Sequence, residues 1–192
     1  MGQANAEKLF YKILDAHNIL FSHLNKIAER LSASAVLMTQ ALANERKLLI
    51  CGNGGSASDA QHFAAELIGR FEKERKGLPA IALTTDTSIL TALSNDYGYD
   101  TVFSRQVEAL GKPGDVLIGI STSGNSRNVI LAINAAKRMR IKTIGLLGRD
   151  GGSMTQIVDI ALVVPHDVTA RIQEAHIFIL HFWAAYIEKE LF

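Results

Sequence analysis

The chain has 192 residues, 48% of them hydrophobic, enough to bury one substantial core and with nothing that asks for a second domain. Its 20 basic and 19 acidic residues leave a net charge of +1 and are mixed along the chain. That excludes the electrostatic footprint of a nucleic-acid or anionic-membrane binder, so any anion must be recognised locally.

The opening Met1-Gly2-Gln3-Ala4-Asn5-Ala6 lacks the basic segment and apolar core of a secretion signal. No apolar run is long enough to span a bilayer, so a cytoplasmic, soluble protein is expected. From about Ala6 to Asn44 there is neither proline nor glycine, and Leu9, Ile13, Leu20, Leu24, Ile27, Leu31 and Leu42 recur at helical intervals. Two helices are predicted, breaking near Ser32 to Ser34. After Lys47 short apolar runs alternate with helical patterns: Leu48 to Cys51, Ala80 to Leu83, Val116 to Ile120, Lys142 to Leu147 and Ile160 to Val164. Such alternation predicts an α/β fold: a doubly wound, mainly parallel five-stranded sheet flanked by helices, with an N-terminal helical pair and a long C-terminal helix. One domain over residues 1–192 is expected, with 1–45 used in oligomerisation and 46–192 forming the α/β core and last helix.

Two strands run into loops of small residues. The first is Gly52-Asn53-Gly54-Gly55-Ser56, whose Gly52-x-Gly54-x-x-Ala57 spacing loosely satisfies a dinucleotide fingerprint. The next strand, Ala80 to Leu83, leads to Asp86, which is too distant to be the acidic residue that holds a ribose, so that reading is weak. The second, Ser121-Thr122-Ser123-Gly124-Asn125-Ser126, sets four hydroxyls and a glycine ahead of a helix running from about Asn128 to Met139. A helix N-terminus lined by hydroxyls suits a phosphomonoester, with only Arg127 near enough to add a cation. An ordinary capped turn would read the same way, and the presence of the first loop favours the anion. Between the loops, Glu72-Lys73-Glu74-Arg75-Lys76 reads as a solvated loop. Cys51, the lone cysteine, ends an apolar strand and reads as a buried thiol.

The last segment, Ala170 to Leu191, is apolar on more than one face, with Ile172, Ile177, Phe178, Leu180, Phe182, Trp183 and Tyr186. Burial against another copy of the chain is expected. Its polar residues Gln173, Glu174, His176 and His181 need partners in such surroundings, and a site beside the crevice would supply them. His62 and Glu66, four residues apart on the helix after the first loop, point at one object and suit acid–base work or zinc. Gln173 and His181 stand eight residues apart, about 12 Å along a helix axis, too far for one metal ion with bonds of about 2 Å. If both serve one site, they come from different subunits.

These motifs together resemble the bacterial phosphoheptose isomerases of the sugar isomerase (SIS) domain superfamily. The resemblance rests on Cys51 to Ser56, Asp59-Ala60-Gln61-His62-Phe63-Ala64-Ala65-Glu66, Ser94-Asn95-Asp96-Tyr97-Gly98, Ser121 to Ser126 and Arg171-Ile172-Gln173-Glu174. It implies conversion of sedoheptulose 7-phosphate to D-glycero-D-manno-heptose 7-phosphate, a step toward ADP-heptose for lipopolysaccharide core, in a homotetramer with sites between subunits. It further implies that Ser121, Thr122, Ser123 and Ser126 hold the phosphate and that Asn53, Gly54, Gly55, Asn95 and Asp96, with Glu66 and Gln173, contact the sugar. Glu66 and His181 would be the acid–base pair, and His62, Glu66, Gln173 and His181 match positions that bind zinc in some members. Ala170 departs from the pattern, since some relatives carry an aspartate there. Rival functions are a non-catalytic relative that associates with the DnaA replication initiator, a sugar-phosphate-sensing module, and an isomerase of another phosphosugar. Retention of both Glu66 and His181 argues against the first.

Overall fold

The computed structural model describes residues 2–192. Five strands, β1 (Leu48–Gly52), β2 (Ala80–Ala82), β3 (Val116–Ser121), β4 (Lys142–Gly148) and β5 (Ile160–Val164), form one sheet in the order β2-β1-β3-β4-β5. Every pairing is parallel. The unbroken apolar runs explain this, because a parallel sheet is covered on both faces and its strands have no solvent side. All five residues of β1 and all six of β3 are buried.

Alternation along the strands divides the interior in two. Leu48, Ile50, Ile118 and Ile120 face a layer built from α2 (Ala28–Ala43), α3 (Gly55–Ile68) and α7 (Thr169–Leu191). Leu49, Cys51 and Leu117 face α5 (Ser104–Leu110) and α6 (Arg127–Arg138). Cys51 is a buried thiol, as its place on the strand suggests, and burial pushes its pKa up to about 12. The order 2-1-3-4-5 differs from the 3-2-1-4-5-6 of the dinucleotide-binding fold, which sets the dinucleotide reading aside and places the topological switch point between β1 and β3. Both small-residue loops leave the carboxyl ends of those two strands.

The N-terminal helices are α1 (Gly2–Ser22) and α2, and the break between them lies at a short 3₁₀ turn, Leu24–Ile27, ahead of the predicted Ser32 to Ser34. Serine is a poor helix residue because its hydroxyl competes for backbone groups, yet here that hydroxyl is used inside the helix. Ser34 Oγ donates to the Leu31 carbonyl at 2.7 Å and accepts the indole N–H of buried Trp183 at 2.9 Å. The indole needs a partner, and Ser34 supplies one without ending the helix.

The 72–76 stretch is a solvated loop as expected at Glu72, Lys73, Glu74 and Lys76, and departs from expectation at Arg75 alone. It lacks regular structure, but Arg75 is buried in an ion pair with Glu188 of α7, and the N–H groups of Phe71, Glu72 and Lys73 donate to the same carboxylate. Charge composition suggests solvent for all five, whereas the fold turns Arg75 inward. Along α1, Leu9, Phe10, Tyr11, Ile13, Leu14 and Ile19 remain exposed, as does Phe178 of α7. Among the described residues no helix is long and apolar enough to cross a membrane.

Candidate active site

The hydroxyl loop is folded in on itself. Ser121 Oγ lies 2.8 Å from Ser126 Oγ and 3.4 Å from Ser123 Oγ, and the Asn125 N–H donates to Ser123 Oγ. Ser126 occupies the N-cap of α6, yet its side chain caps no backbone N–H. The first turn of α6 therefore presents its positive end to a cluster of neutral hydroxyls, the arrangement that binds an anion without a charged side chain. Thr122 and Ser123 are half-buried at the mouth, and Ser121 is buried at the base. Gly124 sits at φ +63, and a Cβ there would fall 1.9 Å from the Gly151 carbonyl oxygen, so only glycine lets this loop pack on the one after β4. Arg127, the candidate cation, is exposed and lies 3.9 Å from Asp100.

The loop after β1 is tied to this one by a reciprocal amide pair. Asn53 Nδ2 donates to Asn128 Oδ1 at 2.9 Å, and Asn128 Nδ2 donates to Asn53 Oδ1 at 2.8 Å. The Tyr99 hydroxyl adds a third bond to Asn53 Oδ1 at 3.1 Å. Neither Asn128 nor Tyr99 stood out in the sequence; the only hint was the place of Asn128 in the first turn after the hydroxyl loop. Gly54 turns the chain at φ +56, and Gly55 opens α3 directly under Gln173. A Cβ on Gly55 would meet Gln173 Nε2 at 2.1 Å, so the glycine makes room for that amide.

Further along α3 stands the titratable cluster. His62 Nε2 lies 3.3 Å from Glu66 Oε1 and 2.9 Å from His181 Nε2, so the three side chains converge on one point. The ligand atoms of His62, Glu66 and His181 lie within 4.8 Å of one another, a donor set of two imidazoles and a carboxylate that suits zinc. Gly55, Asp59, His62 and Glu66 follow at spacings of four, three and four, one stripe of the helix. Asp59 in that stripe is buried, and burial pushes its carboxyl up to about 6 against the pull of His62.

The structure thus joins three of the four zinc candidates. Gln173 meets α3 at Gly55, seven residues or roughly 10 Å of helix before His62, so within one chain it does not reach the cluster that His181 joins. Asn95 and Asp96 sit exposed near the end of α4 (Thr87–Tyr97), bonded to each other at 2.8 Å rather than to the crevice. Glu174 and His176 turn elsewhere. Glu174 pairs with Arg171 and, at 2.8 Å, with His17 of α1. His176 is fully buried with Nε2 3.0 Å from the Leu147 carbonyl, and burial pushes its pKa down to about 4, which keeps it neutral.

A family model for the SIS domain matches residues 13–148. The phosphoheptose isomerase of Geotalea daltonii is 53% identical over 97% of this chain and 97% of its own length. That of Geobacter sulfurreducens is 61% identical over 87% and 88%. The chain belongs to the phosphoheptose isomerase family. The solved phosphoheptose isomerase GmhA from Neisseria gonorrhoeae matches with a TM-score of 0.91 at 48% identity, covering 96% of this chain and 99% of that one. A phosphoheptose isomerase from Francisella tularensis matches with a TM-score of 0.90 at 37% identity.

Proposed function

We propose that the chain is a cytoplasmic, homotetrameric isomerase that converts sedoheptulose 7-phosphate to D-glycero-D-manno-heptose 7-phosphate, supplying the route to ADP-heptose. The observation that carries this reading is the cluster of Glu66, His62 and His181 on two helices flanking the switch-point crevice, in a chain 53–61% identical to phosphoheptose isomerases. Ketose and aldose interconvert when a proton moves between the first two carbons through an enediol while the oxygens exchange another. Glu66 would carry the proton between carbons. His181 would serve the oxygens, its Nε2 standing 2.9 Å from that of His62. The hydroxyls of Ser121, Thr122, Ser123 and Ser126 would grip the phosphate, and Asn53, Gly54 and Gly55 would meet the sugar chain.

Zinc would be held by His62, Glu66 and His181, with Gln173 contributed by a second copy, because the Gln173 of the same chain stands at Gly55. When bound, the ion would polarise the substrate carbonyl. The exposed apolar residues of α1 and Phe178 of α7 support assembly of copies. Light scattering that returns the mass of one 20.9 kDa chain at micromolar concentration would count against the tetramer.

The deciding experiment is incubation with sedoheptulose 7-phosphate, with and without chelator, followed by NMR. Appearance of the seven-carbon aldose supports the reading. Failure with this ketose but turnover of a shorter phosphosugar would replace the substrate and keep the chemistry. Gly55→Ala gives a finer check. The new methyl displaces the Gln173 side chain, which is long enough to swing away, so the protein should fold normally while the KM for the sugar phosphate rises about tenfold, the equivalent of one lost hydrogen bond.

A further inference from the structure

The segment after α3 is fastened by an ion pair remote from the reacting groups. The side chains of Arg75 and Glu188 are 1% and 2% exposed, with Arg75 Nε 2.9 Å from Glu188 Oε1. Both carboxylate oxygens are filled further, Oε1 by the Phe71 N–H at 2.8 Å and Oε2 by those of Glu72 and Lys73 at 2.9 and 3.0 Å. The guanidinium is filled at its other end by carbonyls of Leu67, Gly69 and Lys76 on Nη1, and of Glu66 on Nη2 at 2.7 Å. Two charges removed from water persist only with such complete pairing.

Both ends of this network touch the cluster. The carbonyl that holds Nη2 belongs to Glu66, whose carboxylate faces His62. The backbone that holds Glu188 Oε1 belongs to Phe71, whose ring lies beside His181 with centroids 5.6 Å apart. Glu188 itself follows His181 on α7 by seven residues, two turns later on the same face. The segment leaves the helix of one member of the acid–base pair, crosses to the helix of the other, and walls the imidazole with an aromatic ring.

We propose that Arg75 and Glu188 are positioning residues for the Glu66–His181 pair, fastening segment 69–77 so that Phe71 fixes the plane of the His181 ring and the end of α3 is held at Glu66. As far as it concerns turnover, this rests on the proposed isomerase activity; as far as it concerns the His181 ring, it stands apart from that activity.

The test uses the full-length protein labelled with 13C at the histidine Cε1, and the variants Glu188→Gln, Arg75→Lys and Phe71→Leu, each checked for fold by circular dichroism. The His181 signal is assigned by its disappearance in His181→Asn. In Glu188→Gln the His181 signal should move or broaden as the ring leaves the field of Phe71, with kcat at least tenfold lower and KM within threefold. Arg75→Lys, which keeps the charge and loses the fork, should fall between wild type and Glu188→Gln. Phe71→Leu leaves the ion pair in place and should shift the same signal, which tests the Phe71–His181 contact; where Glu188→Gln fails to fold, an unchanged His181 signal in folded Arg75→Lys overturns the proposal instead. An unchanged His181 signal in folded Glu188→Gln or in Phe71→Leu overturns the proposal, as does a kcat within twofold of wild type in both. If the wild-type protein does not isomerise sedoheptulose 7-phosphate, the functional reading fails while the His181 signal still decides the positioning role.

Discussion

Glu66→Gln and His181→Ala enzymes are each expected to isomerise sedoheptulose 7-phosphate about 10²–10⁴ times more slowly than wild type, with the loss in kcat. Glutamine keeps the size and one acceptor of Glu66 but cannot take a proton from carbon. Alanine at position 181 removes the imidazole that sits 2.9 Å from His62 and leaves the oxygens of the substrate without a proton relay. Neither group belongs to the hydroxyl loop, so the phosphate should still be gripped and KM should change little. If the carbon and oxygen proton transfers belong to one isomerisation step, as proposed, the double variant should be scarcely slower than the worse single one. Progress curves by NMR check all three numbers, and turnover within a few-fold of wild type in either single variant would remove these residues from the acid–base role. Loss of bound zinc would accompany both changes if the ion is held as proposed, and metal analysis of the purified variants reports that separately from rate.

The second large effect concerns stability in acid. Burial alone would raise the Glu188 carboxyl, but the N–H groups of Lys73, Glu72 and Phe71 and the Arg75 guanidinium outweigh it and hold the pKa down at about 2. A folded-state value below the unfolded one means that the carboxylate stabilises the fold fully above the ordinary range near 4.5 and loses that contribution as pH falls through about 2. The difference is worth about 3 kcal/mol. Urea denaturation followed by the fluorescence of Trp183, the only tryptophan, should therefore show wild type losing more stability between pH 4.5 and pH 2 than Glu188→Gln does, at equal protein concentration. At neutral pH, Glu188→Ala should cost about 3–5 kcal/mol, because the Arg75 charge would stay buried without its counter-ion. Parallel pH profiles for wild type and Glu188→Gln would show that the carboxylate is not held as described.

Much of this architecture is legible along the chain because it is encoded locally. Each strand announces itself as a short apolar run, closed by glycine or serine at β1, β3 and β4, by Thr84 after β2 and by Pro165 after β5, and the five predicted runs match β1 to β5 to within a residue or so at each end. The two loops at the switch point are equally local. His62 and Glu66 could be paired from spacing alone, since four residues bring side chains together on any helix. What escaped detection depends on contacts between distant segments. Asn53 and Asn128 are 75 residues apart, and nothing in the sequence near either one marks the other as its partner. Arg75 sits among charges that suggest water, and only Glu188, 113 residues later, explains its burial. The helix break was misplaced for the same reason: Ser34 looks like a breaker until the Trp183 indole, 149 residues on, is found bonded to it. The polar residues of α7 show the limit of composition as a guide. Gln173 and His181 meet α3, whereas Glu174 and His176 serve α1 and β4, and all four looked alike in the sequence.

The paired amides at the switch point carry a constraint on any redesign of this scaffold. Each asparagine gives one hydrogen to the other and receives one back, so the match between the two side chains is self-complementary. An aspartate at either position would set two oxygens face to face and drive the neighbouring loops apart. Transplanting the hydroxyl-lined turn into a foreign protein would therefore have to move both asparagines as a unit.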